Sequence, residues 1–176
     1  QADYRRSWQG QVDQINSIPL MKTASLKEIK TELASVHPAR MAELCLKMVK
    51  YKKENKELLT YLLFDSYDEK AYIQSVISEM DKMFKEVNRS NSYHAKKGIR
   101  KILGMANKQI KYSGSKQTEV EILIHFCKKL RKSGIGMPLN SALGNIYSRQ
   151  VQKIKKSLAT LHEDLQFDYS EEIMLL

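Results

Sequence analysis

Apolar residues along this chain recur three and four positions apart, the spacing of a helix buried on one side. The series opens with Tyr4, Trp8, Val12, Ile15 and Ile18, and Pro19 closes it. Ser25 with Glu28 three residues on is a capping-box pair, and it starts a helix running to about Val36. Pro38 suits the first turn of the next helix, which reaches Tyr51 with Met41, Leu44, Cys45 and Met48 turned inward. Leu58, Leu59, Leu62 and Leu63 mark a helix over 55–65. A longer stripe, from Tyr72 and Ile73 through Val76, Met80, Met83 and Phe84 to Val87, marks one over 68–87. "NRSNS" breaks the pattern and offers Asn91 or Ser92 as a cap. Ile99, Ile102, Leu103, Ala106 and Ile110 then carry a helix to Tyr112. "SGS" turns the chain at 113–115. Val120, Leu123, Ile124, Cys127 and Leu130 predict a helix over 116–132. "SGIGMP" at 133–138 reads as a loop, 140–165 as a last long helix, and 167–176 as a short acidic and apolar tail.

One stretch is echoed. "VKYKKENKELLTYLLF" from Val49 and "IKYSGSKQTEVEILIHF" from Ile110 share an apolar residue, Lys-Tyr, a polar corner, then a glutamate (Glu57, Glu119) and a phenylalanine (Phe64, Phe126). Repeated helix–corner–helix units stack, because neither buries its apolar face alone. The echo makes Tyr51 and Tyr112 counterparts, each with its ring packed at a helix end and its hydroxyl wet. The expected fold is all-α, a single domain of six to seven antiparallel helices. They stack as an α-α superhelix of HEAT/armadillo-like architecture or pack as an irregular bundle. Within it, 1–24 is a docking segment, 25–87 and 91–166 are two helical units, and 167–176 is the tail.

Composition changes the picture in one respect. A length of 176 residues, 42% hydrophobic and 28% charged, describes a chain able to bury a core. The net charge of +10 bears on partners: it attracts nucleic acid, anionic membrane or acidic protein. Cys45 and Cys127 lack metal-site spacing and read as buried thiols of a reducing, cytoplasmic setting. No apolar run approaches the ~20 residues of a membrane span. The chain opens at Gln1 without a methionine, as a processed or truncated chain would.

Catalytic signatures are not found in the sequence, and no cofactor or metal motif is present. His37, His94, His125 and His162 stand apart from one another. Asp65, Asp68 and Glu69 lie close together, which suits either a metal or the positive end of a helix, and the helix dipole is the favoured reading. His125 beside an apolar stripe reads as a hydrogen-bonded, half-buried histidine. The stronger signal is charge. From Lys96 to Lys132 there are eleven Lys or Arg and two acids, Glu119 and Glu121. Lys97, Lys101, Gly104, Lys108 and Lys111 recur at steps of four and three, on the side opposite Ile99, Ile102, Ala106 and Ile110. Gly104 costs about 1 kcal/mol relative to alanine inside a helix, a cost accounted for by close approach of a backbone or a phosphate. Lys128, Lys129, Arg131 and Lys132 form a basic helix end that would extend this face if it lay beside it. The expected function is a non-enzymatic interaction module docking an acidic protein surface, with nucleic-acid binding through the same lysines as the alternative.

Overall fold

The computed structural model describes residues 22–138 and 140–176. Among them it is all-helical, with eight α-helices and no strand. These are α1 (Leu26–Ser35), α2 (Pro38–Tyr51), α3 (Lys53–Thr60), α4 (Glu69–Lys85), α5 (Ser92–Ser113), α6 (Lys116–Lys132), α7 (Ala142–Leu158) and α8 (Glu163–Met174), with a π-helical turn, Tyr61–Asp65, following α3. No described helix is long and apolar enough to cross a membrane. The chain divides into two compact units, Gln1–Met48 and Val49–Leu176.

In the first unit the expected capping box forms: Glu28 N–H donates to Ser25 Oγ at 3.3 Å, and Ser25 N–H to Glu28 Oε2 at 2.7 Å. Pro38 opens α2, where its missing N–H goes unmissed. Neither helix buries a residue completely: of the positions expected to turn inward on α2, Met41, Leu44 and Cys45 are half-buried and Met48 is 61% exposed. The helix expected over 1–18, with Trp8, lies outside the described residues.

The second unit is built around α6. Glu69 on α4 meets Thr118, and Asp81 on α4 meets His125 and Lys129, so α4 and α6 run parallel. Glu119 meets Lys153 and Ser157 near the far end of α7, which runs antiparallel to α6. Glu121 meets Tyr169 and Lys128 meets Glu172, placing α8 parallel to α6. Helix α6 packs against α4, α5 and α7. It buries Val120, Ile122, Leu123, Ile124, Phe126, Cys127 and Leu130, which together cover most of its circumference. The stripes read from sequence on α4 (Tyr72, Ile73, Val76, Met80, Phe84) and α5 (Ile99, Ile102, Ala106, Ile110) are buried as their spacing predicts.

Three local features differ from expectation. The leucine stripe of 55–65 does not turn inward: Leu62 and Leu63 are each 50% exposed and Phe64 is 73% exposed. The π turn widens the helix by one residue, so Tyr61 takes the inward place, and its hydroxyl donates to Glu69 Oε2 at 2.8 Å. Secondly, the last long helix stops at Leu158, and part of the expected tail forms α8, capped by His162 with Glu163 and Asp164 in its first turn. Tyr169, Ile173 and Leu176 there pack on the core. Thirdly, the echoed tyrosines are not equivalent. Tyr51 is 80% exposed, whereas Tyr112 is buried and donates to Glu57 at 2.8 Å. Within "KYKKENK" Lys52 alone lies outside a helix, extended between α2 and α3.

Candidate anion-binding surface

Helix α5 begins where Asn91 Oδ1 accepts from His94 N–H at 2.9 Å. It ends where Gly114 takes a left-handed φ of 68°, a conformation glycine adopts without strain. Its buried side leaves Lys97, Arg100, Lys101, Gly104 and Lys111 exposed and Lys108 half-buried. The predicted lysine stripe is therefore an outer strip of the unit, about 21 Å from Lys97 to Lys111 at helical rise.

The cations along it fall into two groups. Lys108 Nζ lies 2.6 Å from Glu57 Oε2, beside the Tyr112 hydroxyl. These two partners hold the Glu57 carboxyl below its ordinary range. Lys97, Arg100, Lys101 and Lys111 form no ion pair or side-chain hydrogen bond among the described residues. Lys97 and Lys101 line a depression of about 240 Å³ with His94, Val87 and Glu86. Lys111 lines another, of about 360 Å³, with Lys116, Lys153 and Glu119.

Glu119 organises that second depression. Its Oε2 lies 2.9 Å from Lys116 Nζ and accepts from Ser157 Oγ at 2.7 Å, while Oε1 lies 2.7 Å from Lys153 Nζ. Burial raises the carboxyl pKa, but Lys153, Lys116 and Ser157 outweigh it and hold the value at about 2. Lys116 and Lys153 thus stand as a braced pair beside Lys111. Sequence reading stopped at Lys132 and missed the contribution of α7. From Lys96 to Leu158 the chain carries fifteen Lys or Arg and still only two acids, a signal present in the sequence. Arg149, Lys155 and Lys156 of α7 are exposed.

The basic end of α6 is used differently. Lys128 pairs with Glu172 at 2.7 Å and Lys129 with Asp81 at 3.0 Å, while Arg131 donates to the Leu175 and Leu176 carbonyls. Lys132 is exposed and forms no ion pair among the described residues. Three of these four cations therefore tie α6 to α4 and to the C-terminal residues.

Gly104 has open space where a Cβ would sit, with nothing within 4 Å. No described helix accounts for it. On α5 the glycine that admits close packing is Gly98, where a Cβ would come 3.3 Å from both methyl carbons of Val87.

The groups considered for catalysis have places in the fold. Asp68 Oδ1 caps α4, accepting from Ala71 N–H at 2.9 Å. Glu69 accepts from Tyr61, Ser113 and Thr118; burial raises its carboxyl pKa, but these hydroxyls outweigh it and hold the value low. His125 Nε2 lies 2.7 Å from Asp81 Oδ1. Among the described residues, no group of three or more His, Cys, Asp or Glu is placed to hold a metal ion. No family model, curated protein or solved structure matches this chain.

Proposed function

We propose that the Val49–Leu176 unit is a non-enzymatic docking module that binds an acidic protein surface along the outer strip of α5. The observation that carries this reading is the run of Lys97, Arg100, Lys101 and Lys111 on one exposed side, without counter-ions among the described residues, on a unit that pairs Lys108, Lys128 and Lys129 internally. Like charges at four-residue spacing cost a few tenths of a kcal/mol per pair, and an anionic partner would remove that cost. The layered α-α scaffold expected from the sequence presents α5 as an outer member. The non-enzymatic reading rests on the structural employment of Asp68, Glu69 and His125. The free thiols Cys45 and Cys127 suit a cytoplasmic setting, the latter pushed up to about 12 by burial.

A second reading, binding to a nucleic-acid backbone, is favoured by one feature. The excess of cations extends beyond α5, through Lys116 and Lys153, to the exposed lysines of α7. The two readings separate on titration with poly-L-glutamate and with a mixed-sequence 20-base-pair DNA at two salt concentrations. An acidic-surface module binds polyglutamate and loses it when Lys97, Lys101 and Lys111 are all changed to glutamate. A nucleic-acid module prefers the duplex, with log affinity falling by roughly 0.9 per phosphate contact per decade of salt. If neither polyanion is retained at low salt, both readings fail. Gly104→Ala adds a local test: its loss of affinity, with stability intact, would place the partner against the open backbone at that turn.

A further inference from the structure

A depression of about 570 Å³ runs along α4, on ground the basic strip does not use. Asp68, Tyr72, Val76, Glu79 and Lys82 line it at helical spacing, four turns of α4 and roughly 21 Å at the helical rise. Met105 and Gln109 of α5 form the facing wall, and Phe64 stands at the trough from the π turn. Tyr72 and Val76 are 8% and 5% exposed, whereas Phe64 is 73% exposed. The lining is mixed, with Ser75, Ser78 and Gln109 set among Ala71, Val76 and Met105, and Phe64 adds an exposed aromatic ring at its edge. The register shift that puts it there arises at a π turn, a distortion frequent at functional sites.

Charge selects the partner. In a chain of net charge +10, this trough carries Asp65, Asp68 and Glu79 against one cation, Lys82; Lys82 meets Glu79 in an exposed pair at 3.6 Å, which water screens, and Asp68 also caps α4. Geometry selects its shape. The backbones of α4 and α5 are hydrogen-bonded within their own helices and offer no edge to which a strand could add, so a guest must be held by side chains. The lining recurs at three- and four-residue steps along α4 with one turn of α5 opposite, a surface that a helix with apolar residues three and four apart can follow.

The geometry points to the α4–α5 trough as the seat of a basic amphipathic helix, its apolar side chains on Phe64, Val76 and Met105 and its lysines or arginines toward Asp65 and Glu79. This partner differs in sign and place from the one assigned to the α5 strip, and the two stand or fall separately.

The test uses a labelled, amidated 14-residue peptide of leucine and lysine, with leucines on one helical side, titrated with the full chain and read by fluorescence anisotropy. A scrambled peptide of the same composition and a leucine–glutamate counterpart are the controls. The expected result is saturable binding of the first peptide only. Phe64→Ala should weaken it at least tenfold, and the double change Asp65→Lys with Glu79→Lys at least threefold. Phe64 and Glu79 are exposed, so both variants should melt as the parent does by circular dichroism. Glutamates at 97, 101 and 111 should leave peptide affinity undiminished. Equal binding of the scrambled or acidic peptide, or unchanged affinity in Phe64→Ala, overturns the assignment.

Discussion

Gly104 and Gly144 sit in opposite circumstances. A Cβ at Gly104 meets nothing within 4 Å, whereas one at Gly144 would come 2.6 Å from the Pro138 carbonyl oxygen. Gly104→Ala should therefore stabilise the protein by about 0.5–1 kcal/mol, raising the melting temperature by roughly 2–3 °C. Gly144→Ala should lower it; both are read by thermal unfolding. Glu119 tests the fold from its charged side. Replacing it by alanine leaves Ser157 without its acceptor and Lys116 and Lys153 unbraced, at a cost of about 2 kcal/mol in urea unfolding. The carboxyl pKa falls from an ordinary 4.5 to about 2 on folding. Its stabilisation is complete above the unfolded value and is lost as pH falls through the folded one. Urea midpoints should thus drop between about pH 4.5 and about pH 2, and Glu119→Gln should flatten part of that drop. The lysine strip was legible because it repeats at helical pitch. Which lysines are paired was not, because Glu57, Asp81 and Glu172 reach Lys108, Lys129 and Lys128 from other elements.

Helices α4, α5 and α6 were readable almost to the residue, since each buries a stripe at regular spacing beside a side-chain cap. The π turn was not. Its register is decided by Tyr61 packing 4.6 Å from the Tyr72 ring and bonding to Glu69, contacts between side chains that no local pattern records. Helix α8 escaped notice for a related reason: its apolar residues are spread around the helix rather than gathered in one stripe, and its docking depends on Tyr169 reaching Glu121. The echo misled for the same cause, since similar strings met different neighbours. Phe126 is 0% exposed and Phe64 is 73% exposed. Phe126→Ala should cost about 3–5 kcal/mol, and Phe64→Ser within about 0.5 kcal/mol of nothing, by chemical denaturation.

Across the whole chain, charge works against compactness. A net charge of +10, with several exposed cations along α5 lacking counter-ions among the described residues, repels itself, while the pairs made by the buried Glu119 are less screened by salt. Raising sodium chloride from low to moderate concentration should therefore raise the melting temperature, on the order of 2 °C. Changing Lys97 and Lys101 to glutamine should shrink that gain. Helix α6, enclosed by neighbours that both precede and follow it in the chain, has a consequence during synthesis. When its last residue clears the ribosome, α4 and α5 are available to cover it, but α7 and α8 have yet to emerge. A nascent chain emerged as far as Lys132 would hold out a greasy flank with no native cover, a natural ligand for a chaperone until the next forty-odd residues emerge.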